Sequence, residues 1–172
     1  MTACAPVSRL SLRGRALALL ARREHSRVEL ARKLAPHADS PTHLEETLDA
    51  LEREKLLSAA RFVQSVVHRR AERFGVRRIA LELQQHQLQD EVSAPALADL
   101  KATERERALA VWQRRFGAVA ETPVERARQH RFLAQRGFSS DALRWVLRQG
   151  SAATEAHEES FDAGFDAADE AF

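Results

Sequence analysis

The segment RFLAQRGFSSDALRWVLRQG, residues 131–150, contains a sharp break between two stretches of helix-forming sequence. Each stretch carries apolar residues at helical spacing, and Arg-Gly-Phe-Ser separates them. Glycine ends helices because it adopts the left-handed backbone conformation at little steric cost, and serine caps the helix that follows. The segment therefore predicts a tight corner, with Gly137 left-handed, Phe138 tucked between the two helices, and Ser139 or Ser140 as the cap.

A weaker copy of this corner lies in ERFGVRRIALELQQ, residues 72–85. Aligning Phe74 with Phe138 places Ile79 on Leu143, and a similar match relates the helix after Ser26 to the helix after Gly75. These corners would be architectural, and would set the angle at which arginine-bearing helices face outward. The spacing favours three units of three helices at 11–57, 58–101 and 102–150, after an N-terminal extension at 1–10 and before a tail at 151–172. Since one short unit buries little surface, stacked units would share a core.

The composition predicts an all-α protein, because Ala, Leu, Arg and Glu dominate and aromatic residues make up only 6%. Capping boxes are predicted at Ser26–Glu29, Thr103–Glu106 and Thr122–Glu125, and Ser93 with Pro95 nearby indicates a further helix start. Other starts are predicted at Ser11, Ser40, Ser58 and Ser139 or Ser140. The predicted helices are 12–24, 27–35, 41–55, 59–73, 76–87, 94–101, 104–116, 123–136 and 140–149.

Charge is distributed unevenly along the chain. Residues 1–150 hold all 27 Lys and Arg and carry a net charge of +9, whereas residues 151–172 carry −7 and no base. The bases are 24 Arg and only 3 Lys, and the planar arginine fork matches phosphate and carboxylate. Any single arginine could instead belong to a solvated helix face paired with a nearby Glu. The candidate binding arginines are Arg13, Arg15, Arg22, Arg23, Arg69, Arg70, Arg73, Arg77, Arg78, Arg114, Arg115, Arg131 and Arg136.

Several classes of function find no support in the sequence. Cys4 is the only cysteine, no apolar run approaches the ~20 residues of a membrane span, and the first ten residues lack a signal-peptide core. The histidines are scattered, and glycine-rich phosphate loops and nucleophile elbows are absent. Trp112 and Trp145 lie on apolar helix faces and are predicted to pack in the core. We therefore expect a cytoplasmic non-enzyme without metal, cofactor or small-molecule substrate.

Three segments together resemble the RecX family, bacterial regulators of the RecA recombinase. They are SLRGRALALLARREHSRVELARKL at 11–34, RFGVRRIALEL at 73–83 and RFLAQRGFSSDALRWVL at 131–147. The resemblance implies three tandem three-helix repeats in an elongated, curved array. It also implies binding in the groove of a RecA filament on single-stranded DNA, with inhibition of ATP hydrolysis, strand exchange and filament growth in recombination, DNA repair and the SOS response.

The acidic tail at 151–172 departs from the family pattern, and the resemblance implies no role for it. It contains Phe161, Phe165 and Phe172, and we expect it to be flexible and to compete with DNA for the basic body. The protein is expected to be a monomer that binds single-stranded DNA more weakly than RecA filaments. Two alternatives remain open at this point, a helix-turn-helix transcription factor and a helical scaffold for another protein.

Overall fold

The computed structural model describes residues 10–88, 90–118 and 120–149, and all regular structure within them is helical. This confirms the all-α prediction. The predicted tail, and the predicted N-terminal extension up to residue 9, lie outside the described residues. The helices are α1 (Leu12–Leu20), α2 (Arg27–Leu34), α3 (Pro41–Arg53), α4 (Ala59–Arg70), α5 (Val76–Gln84), α6 (Asp90–Ala102), α7 (Glu104–Arg115), α8 (Pro123–Gln135) and α9 (140–149), with a 3-10 turn at Ala35–His37.

Most predicted helix starts are confirmed by hydrogen bonds from backbone amides to the capping side chains. The Thr122 hydroxyl accepts from the Glu125 amide, and the Glu125 carboxylate accepts from the Thr122 amide, so this capping box is complete. Of the two candidates for the last helix, Ser139 is the cap, since its hydroxyl accepts from the Ala142 amide. The other capping hydroxyls belong to Ser11, Ser26, Ser40 and Ser58.

Two of the predicted capping boxes are wrong in whole or in part. The Thr103 side chain makes no capping bond, and its hydroxyl lies instead against the carbonyls of Asp99 and Leu100 in the preceding helix. At the start of α2, Ser26 caps as predicted, but the Glu29 carboxylate binds Arg23 rather than the Ser26 amide. At α2 the carboxylate takes a different partner, and at α7 the threonine hydroxyl bonds to carbonyls of the preceding helix instead of to an amide of the first turn.

The predicted start of the sixth helix near residue 94 is also wrong. Helix α6 begins at Asp90, so that Ser93 and Pro95 lie inside it and the Ser93 hydroxyl donates to the Asp90 carbonyl. Pro95 is only the sixth helical residue, where it removes a single backbone hydrogen bond. Asp90 and Glu91 in the first turn offset this loss because their charges favour the positive end of the helix dipole.

Other helices end earlier than predicted. Helix α1 ends at Leu20 rather than residue 24, since the amides of Arg22 and Arg23 both turn back to the Leu19 carbonyl. Helix α4 ends at Arg70 rather than residue 73, and the amides of Arg73 and Phe74 bond to the Arg70 carbonyl. Such tightened last turns satisfy carbonyls that an abrupt helix end would leave without a partner.

The described residues form two compact units, one comprising residues 10–66, 83–88 and 90–94, and the other comprising 67–82, 95–118 and 120–149. The core of the first unit is built mainly from leucines, namely Leu12, Leu30, Leu34, Leu48, Leu51 and Leu57. The core of the second unit contains Val111, Trp112, Leu133, Phe138, Leu143 and Val146, with Trp145 packed against it. The prediction that both tryptophans pack in the core is confirmed. The three-repeat boundaries stay a prediction.

The corner of the opening segment is built as the sequence predicts, and it has a partner in the same unit. Gly137 is left-handed, with φ of +79°, and Phe138 is only 2% exposed. The Gly75 amide donates to the Arg136 carbonyl at 2.9 Å, and the Arg77 amide donates to the Gly137 carbonyl at 3.2 Å. The two helix breaks at 74–76 and 136–138 therefore meet backbone to backbone, and we call this contact the glycine joint.

The glycine joint leaves no room for a side chain at either glycine. A Cβ atom at Gly75 would lie 2.3 Å from the Gly137 carbonyl oxygen and 2.3 Å from the Phe138 nitrogen. A Cβ atom at Gly137 would lie 2.6 Å from the Arg78 nitrogen. These neighbours are backbone atoms, which cannot swing away as a flexible side chain can. Glycine is therefore required at both positions for steric reasons, and at Gly137 for its positive φ as well.

We predict that Gly75→Ala destabilises the protein by about 3 kcal/mol, at the upper end of the cost of overpacking a core. The measurement is urea unfolding followed by circular dichroism. Gly117→Ala is the control: Gly117, unlike Gly75, has a positive φ, of +71°, but its added Cβ would meet nothing closer than 3.7 Å. The control should lose only about 1–2 kcal/mol for the left-handed backbone. Equal losses in the two variants would contradict a steric role for the glycine joint.

Candidate functional site

A buried carboxylate supports the glycine joint from helix α7. Glu104 is 4% exposed, and its Oε1 accepts hydrogen bonds from the Val76 amide at 2.9 Å and the Ser139 amide at 3.3 Å. These amides lie at the starts of α5 and α9, where backbone N–H groups lack helical partners and the helix dipoles favour negative charge. Glu104 therefore fixes both helices that leave the joint. The sequence pattern predicted no such role for Glu104.

Arg107, one turn further along α7, binds backbone carbonyls, whereas Glu104 binds backbone amides. Its guanidinium donates to the carbonyls of Ala71, Phe74 and Leu100 at 2.7–2.9 Å. Burial lowers the pKa of Arg107, and the nearby Glu104 carboxylate opposes this effect. Arg107 thus ties the chain after α4 to the end of α6, and it is not a free binding group.

Four arginines of the second unit lie near the glycine joint, two of them in the chain around Gly75, one beside Gly137 and one at the end of α7: Arg73, Arg78, Arg136 and Arg115. We call them the arginine surface. Burial lowers the pKa of Arg136, and the positive charges of Arg73, Arg78 and Arg115 lower it further, so each of these three arginines lies near enough to Arg136 to act on it. The set combines residues from three parts of the sequence, because the joint brings the start of α5 against the end of α8. Such a concentration of like charge favours an anionic partner.

Aromatic rings hold several of these guanidinium groups in place. The Cζ atom of Arg136 lies 3.6 Å from the centre of the Phe132 ring, and that of Arg78 lies 4.6 Å from the Phe74 ring. Phe132 in turn packs edge to face against Phe116 at 5.1 Å between ring centres. Cation–π contacts of this kind orient the guanidinium. Arg78 also donates one N–H to the Gln135 carbonyl at 3.2 Å, and Arg136 donates one to the Phe132 carbonyl at 3.4 Å. The rings are partly exposed, so the surface offers apolar area beside its charge.

Other candidate arginines are committed to bonds within the protein. In the first unit, Arg13 forms a two-pronged ion pair with Glu54 at 2.9 and 2.6 Å, and Arg23 binds the Glu29 carboxylate. In the second unit, Arg70 pairs with Glu82 at 3.1 Å. Arg114 there donates to the Glu72 carbonyl at 2.8 Å. These contacts weaken the case for direct partner binding by Arg13, Arg23, Arg70 and Arg114, because a partner would have to break them.

The remaining candidates fall into two groups. Arg15 and Arg22 lie with Lys33 and His37 around a cavity of about 480 Å³ in the first unit. Arg69, Arg77 and Arg131 are exposed on the second unit, and the Arg77 amide belongs to the glycine joint. The arginines predicted from sequence are thus not one continuous site: among them, Arg73, Arg78 and Arg115 are the ones whose charges act on Arg136.

Sequence reasoning also missed Arg27, which links α2 to α3. Its guanidinium binds Glu45, Asp49 and Glu52 at 2.5–2.7 Å. Burial works against the charge of Arg27, but the bonds to these three carboxylates raise its pKa overall. The spacing of the three acids places them on one face of α3, and that pattern is a signal in the sequence that could have predicted a basic partner.

No group of three or more His, Cys, Asp and Glu side chains among the described residues is arranged to hold a metal ion. No described helix is both long enough and apolar enough to cross a membrane. The described residues do offer a basic surface, supported by aromatic rings, beside the glycine joint.

Comparison with known proteins agrees with this geometry. Residues 103–147 match the sequence profile of the third three-helix domain of RecX. These residues contain α7, α8 and most of α9, so the class of protein is all-helical with a three-helix domain at its C-terminal side.

Full-length relatives identify the family. The chain is 58% identical over 139 residues to the regulatory protein RecX of Leptothrix cholodnii, covering 81% of this chain and 88% of that protein. It is 50% identical over 147 residues to the regulatory protein RecX of Ralstonia nicotianae, covering 86% and 92% of the two chains. The chain belongs to the RecX family of regulatory proteins.

A solved structure shares the fold at low sequence identity. The crystal structure of RecX from Lactobacillus salivarius is 18% identical, with a TM-score of 0.68 over 82% of this chain and 95% of that one. The all-helical architecture is therefore common to proteins whose side chains differ at most positions.

We predict that Glu104→Ala destabilises the protein by about 2–4 kcal/mol, because two amide donors lose a buried acceptor and each unsatisfied group costs about 1–3 kcal/mol. Glu106→Ala, on the exposed side of the same helix, is the control and should change stability by less than about 0.5 kcal/mol. Urea unfolding of both variants provides the measurement. A Glu104 variant as stable as the control would show that the two amides find other partners.

Proposed function

We propose that the protein binds the RecA recombinase filament on single-stranded DNA and inhibits its ATPase, its strand exchange and its growth. This role would place it in recombination, DNA repair and the SOS response, in the cytoplasm where the filament forms. Membership of the RecX family supports the regulatory role, since relatives that cover most of the chain are named regulatory proteins. The arginine surface supports a polyanionic or acidic partner.

The arginine surface is the strongest contact candidate within the described residues. Arg73 and Arg115 are exposed, and the charges acting on the neighbouring Arg136 from this set are all positive. By contrast, Arg13, Arg23 and Arg70 would each have to break an ion pair before binding a partner. Exposed arginine forks can meet DNA phosphates or the carboxylates of a filament subunit without that loss.

The proposed mechanism is steric and electrostatic rather than chemical. A protein that lies in the filament groove and bridges neighbouring subunits would oppose the subunit movements that accompany ATP turnover. Rigidity matters for this, because a compliant bridge would follow the movement instead of resisting it. The glycine joint, with Glu104 on its amides and Arg107 on nearby carbonyls, supplies such rigidity in the second unit.

We predict that Arg73→Glu/Arg115→Glu weakens binding to RecA filaments by about tenfold or more, since reversing charges at an interface replaces attraction with repulsion. The measurement is co-sedimentation with filaments assembled on single-stranded DNA, together with inhibition of the DNA-dependent ATPase. Arg32→Glu/Arg128→Glu is the matched control, because both arginines are exposed and the change in net charge is the same.

The outcomes separate the proposed function from its alternatives. Loss of filament binding in the test variant alone would support the arginine surface as the contact, and equal loss in both variants would reduce the effect to net charge. Unchanged binding in both folded variants would exclude this surface. If the unaltered protein bound one duplex sequence better than it binds filaments, the transcription-factor alternative would replace the proposal.

We also predict that the isolated protein hydrolyses neither ATP nor DNA. The prediction follows from the sequence, which lacks a phosphate-binding loop and a nucleophile motif. The assay is phosphate release and oligonucleotide cleavage by protein purified free of recombinase and nucleases, with heat-denatured protein as the control. Turnover that co-purifies with the folded protein would contradict the proposal of a purely binding regulator.

A further inference from the structure

The cavity of the first unit has a basic wall. Its volume of about 480 Å³ falls within the range of about 300–1,000 Å³ that small-molecule sites occupy. Four basic side chains line it, and none of its lining residues is an acid. They are Arg15 from α1, Arg22 just beyond that helix, Lys33 from α2 and His37 from the 3-10 turn. The permanent charges of the wall are therefore all positive.

These charges are not neutralised by the ion pairs that hold the first unit together. Within the residues that the structure describes, no ion pair or hydrogen bond engages the side chains of Arg15, Arg22 or His37. Lys33 approaches the Glu29 carboxylate only at 3.9 Å, and that carboxylate already binds a guanidinium group. Cations brought together without a counter-charge favour the binding of an anion.

Helix dipoles account for part of this charge but not for all of it. A cation near the C-terminus of a helix is favourable because the dipole is negative there. Lys33 lies in the last turn of α2, and Arg22 follows the end of α1. Arg15 is the fourth residue of α1 and gains nothing from this effect, yet it is partly buried at the cavity wall. Because removing a charge from water is costly unless it is paired, Arg15 points to a ligand.

The rest of the wall is apolar. Leu34 is a fully buried member of the core of the first unit, and Leu19 is half-buried against that core. Leu10 and Ala18 complete the lining. An inorganic anion would use the cations and leave these apolar side chains in contact with water. A ligand in which an anionic group is joined to a flat or apolar body would use both parts of the wall.

We propose that this cavity, whose wall combines Arg15, Arg22 and Lys33 with Leu19 and Leu34, binds a nucleoside phosphate. A phosphate monoester carries a charge of about −1.5 to −2 at neutral pH, a better match to three cations than the single charge of a carboxylate. Arginine forks match the phosphate oxygens, and lysine adds a further charge. The base lies against the leucines and a guanidinium plane, on which bases stack. The inference concerns binding without turnover and does not rest on the proposed function.

The direct test is an NMR titration of the isotope-labelled full chain with deoxyadenosine monophosphate. It is run at about 0.1 M salt, where the Debye length is about 10 Å and long-range attraction is screened. We expect the shifts to be concentrated at the amides of Leu19, Arg22, Lys33 and His37. Deoxyadenosine, which lacks the phosphate, and inorganic phosphate, which lacks the base, should each bind more weakly by about tenfold or more. Shifts spread evenly over both units, or equal affinity for the nucleotide and inorganic phosphate, would overturn the inference.

Arg15→Gln/Arg22→Gln should weaken binding of the nucleotide by about tenfold or more, because it removes two charge-assisted contacts. Arg32→Gln/Arg53→Gln is the matched control, since both arginines are exposed in the first unit, lie outside the cavity lining and change the net charge equally. Equal losses in the two variants would reduce the effect to net charge and overturn the site. Ala18→Glu, at an exposed position of the wall, should also abolish binding by repelling the phosphate, and it tests the site independently if the double variant does not fold.

The source of the nucleotide is distinguished by a parallel titration with a short single strand of deoxyadenosines that carries a terminal phosphate. Binding of the strand at the same amides, at least as tightly as the mononucleotide, would assign the cavity to a nucleotide of single-stranded DNA. Shifts with the mononucleotide alone would assign it to a free nucleotide, and both results support the site. Shifts with neither would overturn it. Because no recombinase is present, failure of the proposed function in filament binding would leave this result unaffected.

Discussion

The second unit depends on the close approach of two backbones at Gly75 and Gly137. The backbone at Gly137 fills the space that a side chain at Gly75 would need, and the two helix breaks are joined by backbone hydrogen bonds. The geometry of each corner therefore depends on the other. The Glu104 carboxylate accepts hydrogen bonds from amides at the starts of both helices that begin at the joint. Arg107 donates to two backbone carbonyls in the chain that leads into the joint. Residues far apart in sequence are thereby fixed in one rigid arrangement before any surface charge is considered.

Arginine has two distinct roles in this protein, and burial separates them. Arg27 and Arg107 satisfy several acceptors each and act as cross-links within the first and second units respectively. Arg73 and Arg115 are exposed, and their positive charges act on the neighbouring Arg136. The high arginine content therefore reflects structural needs as well as binding, and the overall charge alone does not locate a contact surface.

Local chemistry was sufficient to predict the fold class, most helix starts and the left-handed corner at Gly137, because each depends on neighbouring residues. Thr103 and Ser93 show where this reasoning fails. At Thr103 the predicted helix start is correct, but the hydroxyl bonds to the carbonyls of Asp99 and Leu100 instead of capping α7. At Ser93 the predicted start is wrong, because α6 already begins at Asp90. The predictions that depend on tertiary partners could not be made from sequence spacing.

The same distinction applies to the candidate site. The sequence identified most exposed arginines, but it could not tell an arginine that pairs with Glu82 from one that faces three others, since both occur in basic stretches. It also offered no sign that Glu104 is buried, because an acid beside a threonine is a common surface pattern. Only the meeting of α5 with the end of α8 selects four arginines from thirteen candidates.

The glycine joint is made from main-chain atoms, and this has a consequence for how the fold can vary. Amides and carbonyls are the same in every residue, so the hydrogen bonds across the joint place little demand on the identity of surrounding side chains. What they demand is the absence of a side chain at two points. A fold held in this way can keep its geometry while most of its sequence drifts, which accords with a shared architecture at 18% identity. The two glycines would then be expected to occur together, since replacing either one separates the two backbones and removes the steric requirement for glycine at the other.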